Sequence, residues 1–112
     1  MSKLKTTGKP RQFDTGAQRD NADNKLRMSL VPHAALNGVM LRYIQGADTY
    51  GENNWKKGMK HSVLYDSTMR HLMQDFTGDD SEDHLSAALW NIMGMIWNRD
   101  HKPEMDDRKE YE

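Results

Sequence analysis

Residues 82–98 constrain the fold most, because they read as one helix that is apolar on two sides. Glu82 and Asp83 follow Ser81 and place acids where a helix dipole favours them. Leu85, Ala88, Leu89, Ile92 and Ile96 then make one apolar face, and Trp90, Met93 and Trp97 a second. Such a helix needs cover on both sides. Two other helices are predicted. The first spans about Ser29 to Gln45, with Pro32 in its first turn, a buried face of Leu36, Val39, Met40, Tyr43 and Ile44, and Gly46 as its stop. The second spans about Ser62 to Thr77, with Ser62 as N-cap and Gly78 beyond its end. Its predicted core stripe is Tyr65, Met69, Leu72 and Phe76, with Asp66 and Arg70 one turn apart on an adjacent face. Three helices leave the two-sided one short of cover. A second copy of the chain is the expected cover, and packing of the tryptophans under the leading arm is the alternative. No strand alternation of useful length occurs. The expected fold is all-α: a small bundle of three main helices completed by oligomerisation.

The chain has 112 residues, enough for one domain with a limited core. Residues 1–28 are read as a basic extended arm, 29–98 as the helical domain and 99–112 as a charged, solvated tail. The arm holds seven Lys or Arg against three Asp, and the tail six acids against four bases. Between the first two helices, residues 46–58 read as a long loop with three glycines, two asparagines and two aromatics, a place where function collects. Net charge is −1, so no global field draws the chain to nucleic acid or membrane, and no stable nucleic-acid binding is expected. The absence of cysteine excludes disulfides, thiol nucleophiles and cysteine metal sites, and suits a reducing cytoplasm. No apolar run reaches the ~20 residues of a membrane span, and Met1-Ser2-Lys3-Leu4-Lys5 has no apolar signal core behind it.

Polar residues inside the third helix carry the chemistry. Asp83, Ala87 and Asn91 lie on one line, and His84, Ala88 and Asn91 on its neighbour. Small alanines between polar ends leave room for a ligand or for a close helix. A buried Asn91 has to be hydrogen-bonded, either to a ligand or to backbone. Nearby stand Asp75, Asp79, Asp80, Glu82 and Asp83. Carboxylates of this kind bind hard divalent cations through oxygen, or simply offset a helix dipole. Arg70-His71 and Asp83-His84 put histidines on both neighbouring helices, as general acid or base, as ligands or as polar packing. No Gly-x-x-x-x-Gly-Lys-Ser/Thr loop is present, which excludes ordinary P-loop phosphoryl transfer.

The chain resembles a family: the phage-type dATP/dGTP diphosphohydrolases (MazZ-like), related to the MazG-like all-α nucleotide pyrophosphohydrolases. The resemblance lies in Arg11-Gln12-Phe13, Thr15-Gly16-Ala17 and Arg19-Asp20; in Lys25-x-Arg27 with Leu30-x-Pro32; and in Gly46-Ala47, Tyr50-Gly51 and Asn54-Trp55-x-Lys57-Gly58. It continues through Asp66-Ser67, Arg70-His71-Leu72, Gly78-Asp79, Glu82-Asp83-His84-Leu85, Ala87-Ala88 and Trp90-Asn91. It implies hydrolysis of a nucleoside triphosphate to a monophosphate and pyrophosphate, dependent on Mg²⁺ or Mn²⁺, in a dimer, tetramer or larger homo-oligomer. The family's Glu-x-x-Glu is missing from the second helix, and Asp48-Thr49 stands where Lys-Lys is usual.

On this reading Asp66, Asp79, Glu82 and Asp83 hold the metal, and His71, His84 and Asp83 act on water or substrate. Arg19, Lys25, Arg27, Lys57 and Arg70 meet phosphates as charge-assisted donors. Tyr50, Asn54 and Trp55 read or stack on a base, most simply a purine, and Asn91 contacts substrate. Two other readings stay open: a nucleoside monophosphate kinase without a P-loop, and a non-catalytic module that sequesters a nucleotide.

Overall fold

A computed structural model describes residues 8–112. The first five residues, read above for a signal core, lie outside the described residues. The chain divides into a leading unit that ends at Pro32 and a helical unit that starts at His33.

Within the leading unit the expected extended arm is partly a hairpin. Strands β1 (Arg11–Gln12) and β2 (Gln18–Arg19) pair antiparallel, Arg11 opposite Arg19. Gly16, at φ 89°, turns the chain, and its N–H donates to the Phe13 carbonyl at 2.8 Å. The Arg11 guanidinium lies 5.5 Å from the centre of the Phe13 ring, and its Nε donates to the Asp20 carbonyl. Buried Asn21 donates to the Lys9 carbonyl and accepts from the Asp23 N–H.

The helical unit holds α1 (His33–Tyr50), α2 (His61–Phe76) and α3 (His84–His101). The protein is all-α, and α3 packs against both α2 and α1. Its tryptophan face is covered within the chain. Trp90 lies 5.8 Å from the Tyr43 ring of α1, and Trp97 lies 5.1 Å from Trp55 on the 3-10 turn Asn54–Lys57.

Helix bounds differ from expectation for local reasons. Pro32 precedes α1, and the residues before it form the short 3-10 turn Met28–Leu30. Gly46 does not stop α1. Gly51 does, at φ 93°, with its N–H on the Ala47 carbonyl at 2.9 Å, so the first residues of the expected loop are helical. Asp83 caps α3: its carboxylate accepts from the Ser86 N–H at 3.1 Å and from the Ser86 hydroxyl. The expected solvated tail returns to the helices. Asp107 is buried, and its carboxylate accepts from the N–H and hydroxyl of Ser62 at the start of α2.

The interior is small and polar. Val39, Leu64, Ala87 and Ala88 are its buried apolar residues, beside Thr68, His84, Ser86, Asn91 and Asn98. Tyr65, Met69, Leu72 and Phe76, expected in the core, face outward; Leu64 and Thr68 take their place. Met40, Ile44, Leu85, Ile92 and Ile96 are exposed as well. Small residues set this geometry. A Cβ on Gly94 would stand 3.3 Å from a Leu64 methyl, so α2 and α3 approach closely there. Asn91 Nδ2 donates to Ser67 Oγ at 3.1 Å and to the Ala87 carbonyl at 2.9 Å, and Asn98 Nδ2 donates to the Met59 carbonyl at 2.8 Å. Among the described residues no buried side-chain polar atom lacks a partner.

Gly38 seats α1 on the start of α3. A Cβ there would overlap the Ser86 hydroxyl and stand 3.3 Å from Asp83 Oδ2. Gly38→Ala is therefore expected to destabilise the protein by roughly 1–3 kcal/mol through overpacking, against the gain that alanine brings in a helix. Urea unfolding measures it, and an unchanged or higher midpoint would refute the close contact.

Candidate functional site

Two adjoining cavities mark the site. The first is aromatic, about 520 Å³, and lies at the C-terminal end of α1. Tyr43, Tyr50, Asn54, Trp55 and Trp90 line it, and the Tyr43 and Trp55 rings meet edge-on at 5.9 Å. Its size falls in the range of small-molecule sites. Burial pushes the Tyr43 hydroxyl above its ordinary pKa, so it stays a neutral hydrogen-bonding group. The second is a polar cleft among α1, α2 and α3, lined by Arg42, Thr49, Ser67, His71 and Asn91. Gly46, Tyr50 and Trp90 border both, so the two lie side by side.

At the far edge of the cleft α2 meets the start of α3. His71 Nδ1 and His84 Nδ1 are 2.9 Å apart. The other ring nitrogen of His84 lies 2.9 Å from Asp79 Oδ2, and Asp79 also accepts from the N–H and hydroxyl of Ser81. The Ser81 N–H, the His84 ring and the Ser81 hydroxyl hold the Asp79 carboxyl below its ordinary pKa. Arg42 Nη2 donates to Glu82 Oε1 at 2.7 Å and to the Asp83 carbonyl at 3.0 Å. That bond is the main reason Glu82 titrates lower than an ordinary glutamate. Burial holds the His71 imidazole below its usual value, so it is neutral at pH 7; Glu82 opposes this, and His84, Arg70 and Arg42 add to it.

The residues singled out from the sequence are distributed unevenly. His71, His84, Asp79 and Glu82 come together, and Asn91 stands in the cleft beside them. Asp83 is adjacent, but both its carboxylate oxygens serve Ser86. Asp66 does not join them. It is exposed and lines a separate cavity with His61, Tyr65, Asp107 and Tyr111. Its position on α2 explains this, because Leu64, Thr68 and His71 form the face turned to α3 and Asp66 stands off that face. Tyr50, Asn54 and Trp55 line the aromatic cavity as expected of base-contacting groups. Lys57 is exposed on the adjoining turn. Arg70 is exposed and reaches the cleft's Ser67 at 3.4 Å. Arg19, Lys25 and Arg27 belong to the leading unit.

Arg42, Ser67, Tyr43 and Trp90 line the site but were not among the residues expected there, the last two being read as packing residues; Arg42 is the charged one among them. A signal was present: Gly38, Arg42, Gln45 and Thr49 follow one another at helical spacing, a small and polar line between the apolar positions of α1.

The helical unit thus sets an aromatic cavity beside a cleft lined by arginine, histidine, serine and asparagine. Residues 15–108 match the family model described as dATP/dGTP diphosphohydrolase, N-terminal, and the chain belongs to that family. No curated protein and no solved structure matches it.

Proposed function

We propose that the protein hydrolyses purine deoxynucleoside triphosphates to the monophosphate and pyrophosphate. The observation that carries this is the adjacency of the two cavities: an aromatic pocket that suits a base, sharing Gly46, Tyr50 and Trp90 with a cleft that suits phosphates. Tyr43, Tyr50, Trp55 and Trp90 would stack on and enclose the base, with Asn54 contacting its edge. Arg42 would donate to phosphate oxygens, aided by Arg70, while Ser67 and Asn91 hydrogen-bond the chain of phosphates. A water oxygen bonds to the α-phosphorus as the α–β bridging bond breaks, its electron pair leaving on pyrophosphate and the water's proton being released. A bound divalent cation, Mg²⁺ or Mn²⁺, would offset the growing negative charge and acidify water. The four carboxylates first expected to hold it are not gathered, since Asp66 is apart and Asp83 is engaged by Ser86. Glu82, at the cleft's edge beside His71, fits the task, and His71 would orient water there with the buried His84 behind it.

Such an activity belongs to phage nucleotide metabolism in a host cytoplasm. Among the described residues no helix is long and apolar enough to cross a membrane. A homo-oligomer would cover the outward apolar stripe of α2, Tyr65, Met69, Leu72 and Phe76.

The test is to incubate the protein with each dNTP, and with each dNMP plus ATP, in Mg²⁺ and in Mn²⁺, and to resolve the products by anion exchange. Pyrophosphate and a dNMP from dATP or dGTP are expected. A dNDP with ADP would replace the reading by a kinase, and binding without turnover by a nucleotide-sequestering module.

A further inference from the structure

We infer that His71, His84 and Glu82 form a binding site for a divalent transition-metal ion, of the class of Mn²⁺, Co²⁺ and Zn²⁺, in preference to Mg²⁺. His71 Nδ1 and His84 Nδ1 are 2.9 Å apart, Glu82 Oε1 lies 4.0 Å from His71 Nδ1, and the three atoms lie within 4.8 Å of one another. Nitrogen and oxygen ligands sit about 2.1 Å from such an ion, so neighbouring ligands at right angles stand about 3 Å apart. The imidazole pair already has that separation. Glu82 is exposed and has to move by about 1 Å, and its Oε1 is the oxygen that Arg42 holds at 2.7 Å, so the ion would displace that bond or move it to the other oxygen.

The surroundings of His84 point the same way. Its side chain is 1% exposed, and its Nε2 lies 2.9 Å from Asp79 Oδ2. Asp79, itself fixed by Ser81, accepts the Nε2 proton and leaves the His84 Nδ1 lone pair directed at His71. A carboxylate behind a histidine in this way orients it for a metal and makes it a stronger donor. Without an ion the two Nδ1 atoms have to share one proton; with an ion both offer lone pairs. Two nitrogens and one oxygen select against Mg²⁺, which prefers oxygen and keeps its waters, and favour the later divalent ions.

Use of the ion in hydrolysis rests on the function proposed above, but its binding does not. The experiment is therefore done on the full chain without nucleotide. Zn²⁺, Co²⁺, Mn²⁺ and Mg²⁺ are titrated separately by calorimetry, and the visible absorption of Co²⁺ is recorded. One Zn²⁺ or Co²⁺ per chain is expected, with Mg²⁺ weaker by about a hundredfold. Glu82→Gln and His71→Gln should each weaken Zn²⁺ by about tenfold or more, and so should Asp79→Asn. Circular dichroism of these variants, chosen over the buried His84, shows whether they fold. Absence of saturable Zn²⁺ and Co²⁺ binding, equal affinity for Mg²⁺, or unaltered binding by folded His71→Gln would overturn the site. Tight Zn²⁺ binding with no dNTP hydrolysis leaves the metal site standing and removes the hydrolase reading. Hydrolysis in Mg²⁺ with no transition-metal binding does the reverse.

Discussion

Arg42→Ala is expected to lower kcat/KM for nucleotide hydrolysis by roughly a hundredfold to a thousandfold, while costing less than ~1 kcal/mol of stability. The guanidinium borders the polar cleft and reaches its acidic edge, so it stands where charge grows on the phosphates. Its ion pair with Glu82 joins two partly exposed side chains, and such pairs add little to folding. Arg42→Lys should recover only part of the rate, because an ammonium keeps the charge but loses the planar fork. Steady-state rates on dATP and dGTP, with a urea melt for each variant, separate the two effects. Full turnover by folded Arg42→Ala would mean that the phosphates lie elsewhere.

Trp90→Ala should act on stability and binding together. Trp90 packs against Tyr43 and borders both cavities. The loss in stability is expected near 2–3 kcal/mol, at or below the low end for removing a fully buried tryptophan. Nucleotide affinity should fall by about tenfold or more with the lost stacking face. Trp90→Phe separates the two, since it keeps an aromatic face in the same place. It should restore most of the affinity and part of the stability. An affinity that survives Trp90→Ala unchanged would place the base outside the aromatic pocket.

How much of this was legible in the sequence depended on what kind of signal each residue carries. The apolar pattern of α3 was legible in part: its tryptophans pack against Tyr43 and Trp55, but Leu85, Ile92 and Ile96 of the aliphatic face are exposed, and small and polar residues meet α2 instead. The polar line through Asp83, His84, Ala87 and Asn91 was legible as an anomaly, and it does face the neighbouring helices. The buried face of α2 was misread. Tyr65, Met69, Leu72 and Phe76 have the right period, but period does not say which side turns inward when the opposing helix offers small and polar groups. Leu64 fits against Gly94, and Ser67 against Asn91; neither pairing leaves a trace in α2 alone. Gly46 looked like a helix stop because glycine often is one, yet here it borders both cavities. Asp107 satisfying Ser62 is a contact between distant segments, beyond the reach of local patterns. The carboxylate cluster was seen as a group of equivalent acids. The structure gives three of them distinct partners: Ser86 for Asp83, Arg42 for Glu82 and His84 for Asp79.

The modest share of hydrocarbon in the interior has a thermal consequence. Unfolding would release amides and hydroxyls along with little oily surface, and polar exposure lowers heat capacity where apolar exposure raises it. The dependence of folding free energy on temperature is therefore expected to be shallow for a chain of this length, a broad plateau in place of a sharp dome, which calorimetric unfolding would read as a low heat-capacity change.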